Sequence, residues 1–278
     1  MSDPATDQPG DDLRYELTGG VARITLNRPA AANALTPDQR DRLVELFTEA
    51  SSDLRVRVVV LTATGKHFCT GADLRVSRIT ENPRPDGAPE RAVGDVGRTI
   101  KRGAQRLVTS IIDCEKPVIA AVNGTAAGIG AHIALACDLI IAADTARFIE
   151  VFVRRGITPD GGGAYLLPRM IGLAKAKELI FLGDDLAATD AERIGLINKV
   201  VPRDELDQAV DEWAGRLAAG PTKAISLAKW LLNRSLDSDR AGALDDEAWA
   251  QELASRTEDF TEGVQAFIDR REVIFKGW

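Results

Sequence analysis

Two glycine-rich segments carry the clearest chemistry in this chain of 278 residues. The first is Lys66-His67-Phe68-Cys69-Thr70-Gly71-Ala72-Asp73-Leu74, and the second is Asn123-Gly124-Thr125-Ala126-Ala127-Gly128-Ile129-Gly130-Ala131-His132. Glycine allows positive φ and a close approach of backbone to ligand, so such turns expose peptide N–H groups. At the start of a helix those groups also sit at the positive end of the helix dipole. Two such turns brought together would hold one oxyanion between two N–H donors. The same glycines would also serve tight strand-to-helix packing, and each segment alone fits that role. A third segment, Gly156-Ile157-Thr158-Pro159-Asp160-Gly161-Gly162-Gly163, adds a carboxylate at Asp160 just before a helix.

Other chemistries fit the sequence poorly. Gly128-Ile129-Gly130-Ala131-His132-Ile133 begins a dinucleotide fingerprint but has Ile133 where a third small residue belongs. Glu150 lies about twenty residues beyond it, where a ribose acceptor would sit, so nicotinamide binding stays open only as an alternative. The three cysteines, Cys69, Cys114 and Cys137, form no paired motif, and the two histidines, His67 and His132, form no metal-ligand cluster. No metal is expected. There is no GxSxG elbow, and Gly65-Lys66 is followed by histidine where a phosphate loop needs Ser or Thr. The formal net charge of −7 argues against a nucleic-acid partner. No apolar run approaches the roughly 20 residues of a membrane span, and the acidic start lacks the features of a signal peptide. A cytoplasmic location is expected, with no membrane partner.

The elements that must position these segments are legible in outline. Residues 13–17 and 21–26 flank Gly19-Gly20 and read as a β-hairpin. Thr36-Pro37-Asp38-Gln39 has the form of a capping box with proline in the first turn, and Leu43, Val44, Leu46, Phe47 and Ala50 follow on one helical face. Residues 56–62, 118–122 and 139–142 read as buried strands, the first leading into a loop over 63–73 and the second into a glycine-rich turn over 123–130. A short apolar helix is expected over 131–137. Residues 81–103, with three prolines and several glycines, read as a mobile loop running into a helix. Beyond Val201 the strand signal stops, and helices are expected over 203–219, 221–236, 242–254 and 260–273. The repeated order of strand, glycine turn and helix predicts an α/β fold of ββα units with an all-helical C-terminal part.

The three glycine segments, together with Leu26-Asn27-Arg28-Pro29 and Asn33-Ala34-Leu35, resemble the crotonase superfamily, the enoyl-CoA hydratase/isomerase family, from about Leu13 to Gly277. The resemblance implies a crotonase-like spiral of ββα units with an α-helical C-terminal region. It divides the chain into a disordered tail (1–12), a spiral core (13–202) and a helical region for oligomerisation and coenzyme A contact (203–278). It also implies self-association to a trimer or a dimer of trimers. The substrate would be an acyl-CoA thioester of the kind met in fatty acid metabolism. Coenzyme A is then part of the substrate, and no separate cofactor is required. The family's oxyanion hole maps onto the backbone N–H groups of Ala72 and Ile129, which would stabilise the enolate formed when a proton leaves Cα. Arg28, Gly71, Asp73, Leu74, Gly128, Gly130, Phe152 and Lys276 fall at substrate- or coenzyme-A-binding positions. Asp73 would support the first loop, and Lys276 lies in a region that often serves a neighbouring subunit. Ala30 stands where some relatives place a phosphate-binding lysine.

The chain departs from the hydratase pattern at its acid/base positions. The two glutamates of the hydratases map onto His132 and Phe152; Glu150 is two residues from the second position and is not its counterpart. Asp160 matches a position that is acidic in several isomerase branches. One carboxylate suffices to take a proton from one carbon and return it at another. An apolar neighbour such as Phe152 would raise its pKa, while Asp160 would alternatively cap the following helix. His132 reads either as an acid, base or hydrogen-bond donor facing substrate or as a packed, satisfied histidine. His67 and Cys69 read as structural, Arg154-Arg155 as phosphate contacts or solvated charges, and Trp213, Trp230 and Trp249 as core or interface. The leading expectation is an isomerase of an unsaturated acyl-CoA, proton-shuttling through Asp160, in place of a two-glutamate hydratase. The alternatives are a non-catalytic acyl-CoA binding protein and a hydrolase or acyl-transfer relative using Asp160 or His132.

Overall fold

The computed structural model describes residues 12–76, 85–89 and 92–278. Residues 1–11 of the tail expected over 1–12, and residues 81–84 and 90–91 of the loop expected over 81–103, therefore lie outside the described residues. Strand β1 (Leu13–Thr18) pairs antiparallel with β2 (Val21–Leu26), and Gly19 and Gly20 turn between them at positive φ. Helix α1 (Pro37–Ser52) starts on the capping box: Thr36 Oγ1 accepts from Gln39 N, and Gln39 Oε1 accepts from Thr36 N. Strands β3 (Val58–Ala63) and β4 (His67–Cys69) follow. Helix α2 (Asp95–Ile100) then runs through a π-helical turn (Lys101–Gln105) into α3 (Arg106–Ile112). Next come β5 (Val118–Val122), β6 (Thr125–Ala127), α4 (Ile129–Leu135), β7 (Leu139–Ala143) and β8 (Arg147–Ile149). After these come α5 (Gly163–Ile171), α6 (Leu173–Leu182), β9 (Asp185–Ala187), α7 (Ala188–Arg193) and β10 (Lys199–Val201). Four helices close the chain: α8 (Leu206–Ala219), α9 (Thr222–Ser235), α10 (Arg240–Ala254) and α11 (Glu258–Asp269).

The strands form two sheets. One has the order β1-β2-β3-β5-β7-β10 and is parallel beyond the hairpin; the other has the order β4-β6-β8-β9 and is parallel except at β9. Side chains alternate across the larger sheet. Val59, Leu61, Val118, Ala120 and Val122 face the main core with Phe47, Phe68 and Ile133, whereas Val58, Val60, Ile119 and Ala121 face Leu206, Val210 and Ala214 of α8. Both faces are covered, so the strands read as unbroken apolar runs in the sequence.

Several expectations are corrected. The loops expected over 63–73 and 123–130 contain β4 and β6, which are too short for an alternating pattern to show. The helix expected over 131–137 begins two residues earlier, at Ile129, because Gly128 (φ 56) makes the turn into it. The helix expected over 260–273 ends at Asp269, where Arg270 takes a left-handed conformation (φ 54). Trp213 packs against the α8 side of the sheet, but Trp230 and Trp249 are exposed and belong to no core of this chain.

Candidate active site

The two glycine segments meet at one end of the sheets because β4 pairs with β6. Only glycine permits the approach. A Cβ on Gly130 would lie 2.0 Å from the Cys69 carbonyl oxygen, and one on Gly124 would lie 1.9 Å from that of Lys66. The first loop is pinned from outside by Leu35, whose N–H donates to Gly71 O at 2.8 Å and whose carbonyl accepts from Asp73 N at 2.9 Å. In this parallel bridge the intervening residue, Ala72, turns its own N–H away from Leu35. Ile129 is the first residue of α4, so its N–H has no intrahelical acceptor, and Gly128 caps it with no side chain. The loops thus present two backbone donors, Ala72 and Ile129, at the junction where β4 and β6 meet.

A collar of polar contacts holds that geometry. Arg28 donates to Ala34 O at 2.8 Å, Gln39 Oε1 at 3.2 Å and Asp73 Oδ2 at 3.1 Å. Arg75 adds three hydrogen bonds to Asp73, two from its guanidinium and one from its backbone N–H, and these, with the one from Arg28, hold the Asp73 carboxyl well below the usual carboxylate range. The buried Asn33 carboxamide accepts from Arg28 N and donates to Thr64 O and His67 O, tying the collar to β3 and β4. The Cys69 thiol is fully buried, and burial pushes it up to about 12, so it is an inert filler. Leu74 lies on the surface beside this loop.

The acid/base side of the site is made of side chains. Asp160 is half-buried, and burial raises its carboxyl above the usual aspartate value, offset in part by the neighbouring His132 and Arg40. It does not cap α5: the helix starts at Gly163 with Gly162 as its cap and no side-chain cap. His132, in the first turns of α4, is fully buried and stacks on Phe152 with ring centroids 5.0 Å apart. Its Nε2 lies 3.1 Å from Glu150 Oε2, and its Nδ1 has no partner. The ring is therefore neither a free group facing solvent nor a fully satisfied one. Gly161 and Gly163 close over it, since a Cβ at either would meet the imidazole at 2.9 and 2.2 Å. Phe152 also lies against Gly128, so it walls both halves of the site.

Glu150 is the residue the sequence reading passed over. Its place is set by β6–β8 pairing: Gly128 N donates to Ile149 O at 3.0 Å, which puts Glu150 beside the start of α4. A signal existed only as an acid near the expected glutamate position.

Several expected binding residues lie elsewhere. Lys276 pairs with Glu258 at 3.0 Å and lines a groove with Gly19, Gly20, Arg55 and Trp278 at the start of β3, whereas the glycine loops follow the other end of that strand. One chain does not bring Lys276 to Asp160. Arg154 is tied to Asp185 at 2.9 Å, and Arg155 is exposed. His67 opens β4, and its carbonyl serves the Asn33 collar. Among the described residues no group of His, Cys, Asp and Glu could hold a metal, and no helix is long and apolar enough to cross a membrane.

Comparison with known proteins shows the family. Residues 16–277 match the enoyl-CoA hydratase/isomerase family. The chain is 39% identical over 266 residues to a short-chain-enoyl-CoA hydratase of Clostridium acetobutylicum, covering 95% of this chain and 97% of that one. It is 38% identical over 259 residues to the 1,2-epoxyphenylacetyl-CoA isomerase of Escherichia coli, covering 93% and 95%. A crystal structure of an enoyl-CoA hydratase from Bacillus anthracis superposes with a TM-score of 0.86 at 33% identity, over 96% of this chain and 100% of that one. The chain belongs to the crotonase superfamily, as an enoyl-CoA hydratase/isomerase family enzyme acting on acyl-CoA.

Proposed function

We propose that the protein isomerises an unsaturated acyl-CoA by a proton shuttle on Asp160, with the enolate held by the N–H groups of Ala72 and Ile129. The observation that carries this reading is Asp160 itself: a half-buried carboxyl beside the glycine loops, raised in pKa and not engaged as a helix cap. The thioester carbonyl accepts from Ala72 N–H and Ile129 N–H. The Asp160 carboxylate removes a proton from Cα of a 3-enoyl thioester, the negative charge spreads onto the thioester oxygen, and the resulting acid returns the proton at Cγ. The double bond moves into conjugation and no water is consumed. Preorganised donors of this kind contribute about 3–4 kcal/mol each to the stabilised transition state. Hydration, by contrast, needs a second group to hold and activate water, and the two positions that would supply it carry His132 and Phe152. The similar proteins include both a hydratase and an isomerase, so their names favour neither outcome.

In the same reading, residues 13–202 form the catalytic spiral. The helices of 203–278, which expose Leu232, Trp249 and Phe267, supply contacts between subunits of a trimer or a dimer of trimers, and Lys276 reaches coenzyme A only across such a contact. Arg28 and Asp73 support the first loop, and Gly71, Leu74, Gly128, Gly130 and Phe152 line the acyl thioester. The test is an assay of the purified protein with matched 2-enoyl- and 3-enoyl-CoA substrates, read by mass spectrometry. Interconversion without a gain of 18 mass units is expected. Water addition as the dominant reaction, or release of free coenzyme A, would replace the isomerase reading.

A further inference from the structure

Glu150 is a buried carboxylate that the proposed reaction leaves without a task. It is 5% exposed, and among the described residues its carboxyl meets His132 Nε2 at 3.1 Å. A carboxylate that accepts in this contact requires a proton on Nε2. The opposite nitrogen, Nδ1, has no partner although the ring is completely buried. A buried polar atom left bare in a native fold requires a reason. The ring cannot rotate to find another partner, because Phe152 stacks on one face and Gly161 and Gly163 close against it. Nδ1 lies on the side of Gly161, the residue next to Asp160: a Cβ there would begin 2.9 Å from it.

We propose that Glu150 is a positioning residue that fixes His132 as its Nε2–H tautomer, so that Nδ1 is held as the hydrogen-bond acceptor for the acid form of Asp160. The inference rests on the proton-shuttle reading of Asp160 and adds the pair behind it. While Asp160 carries the substrate's proton, its O–H donates to Nδ1, a neutral imidazole nitrogen of fixed orientation, until the proton passes to Cγ. A bare lone pair is also a smaller burden in the resting site than a bare N–H, since unpaired acceptors are tolerated better than unpaired donors. A carboxylate that sets the tautomer of a histidine from behind acts through the histidine and touches no substrate.

The test uses the resting protein labelled with 15N-histidine. The chain has two histidines, and a His67→Asn variant assigns their signals. Long-range 15N–1H correlation at neutral pH is expected to show His132 with one protonated nitrogen, Nε2, and one bare nitrogen, Nδ1. A proton on Nδ1, or on both nitrogens, overturns the proposal. Glu150→Gln keeps the size of the side chain but offers an amide that can donate to Nε2, so it is expected to shift the proton to Nδ1. It should lower kcat about 100-fold, within the range general acid–base contributions span, and leave KM within about twofold. An unchanged kcat with an unchanged tautomer also overturns the proposal. The spectrum of the unsubstituted protein needs neither turnover nor a variant at Glu150, so it decides the tautomer even where Glu150→Gln does not fold. Failure of the shuttle itself would show separately, as full activity in Asp160→Asn.

Discussion

The two halves of the candidate site are built by opposite means. Around Ala72 and Ile129 the groups offered to substrate are backbone: glycines let β4 and α4 approach to contact, Leu35 pins the loop so that the Ala72 N–H turns outward, and side chains only brace the loop from outside. Around Asp160 the groups are side chains: His132 from α4 and Glu150 and Phe152 from the stretch after β8 meet through sheet pairing. The backbone half is rigid and indifferent to the identity of its outward residues. The side-chain half sets which proton moves, and there this chain departs from the two-glutamate pattern. One scaffold can therefore keep its oxyanion-binding geometry while the chemistry beside it changes.

The comparison can be broken from either side. The largest effect is expected from Asp160→Asn, which removes the proposed proton carrier: turnover should fall about 10²–10⁴-fold. Acyl-CoA affinity, measured by equilibrium binding, should stay near that of the unsubstituted protein. Gly130→Ala attacks the backbone half. Its methyl would lie 2.0 Å from the Cys69 carbonyl, so one of the two loops must shift, and kcat should drop by about 10²–10³ with a lower melting temperature. Gly163→Ala attacks the side-chain half: its methyl would lie 2.2 Å from His132 Nε2, so the imidazole or helix α5 must shift. Roughly a tenfold loss of kcat with unchanged binding is expected, within the cost of a small misplacement near the chemistry.

Two pH measurements sharpen the same contrast. Asp160 must be ionised to accept the substrate proton, and its carboxyl is raised. The acid limb of kcat/KM should therefore titrate above the ordinary aspartate value of about 3.9 and disappear in Asp160→Asn. Asp73 has the opposite shift, lowered first by Arg75 and then by Arg28. Its contribution to stability is fully present above the unfolded value of about 3.9 and is lost as pH falls from there toward the lower folded value. The smallest effect follows: the gap in melting temperature between the unsubstituted protein and Asp73→Asn should be constant near neutrality and narrow below about pH 4.

The backbone half was legible in the sequence for a physical reason. Positive φ and close backbone approach admit essentially one residue type, so Gly71, Gly128 and Gly130 announce themselves, as do the Thr36–Gln39 box and the doubly buried strands. Three-residue strands such as β4 and β6 leave no period to read. The side-chain half was legible only in its members. Asp160 could have been a helix cap until the structure showed that Gly161 and Gly162 delay the helix to Gly163. The Glu150–His132 contact depends on the β6–β8 register, which no local pattern encodes. Likewise the position of Lys276, far from the glycine loops within one chain, follows from where α11 ends and not from its motif.

The most direct measurement of the central claim is deuterium wash-in from heavy water into a 3-enoyl-CoA, comparing the unsubstituted protein with Asp160→Asn and locating the label by mass spectrometry. Label at Cα in the recovered substrate and at Cγ in the 2-enoyl product, both lost in Asp160→Asn, is the result the account predicts. Wash-in and double-bond migration that persist at full rate without the Asp160 carboxylate would contradict it.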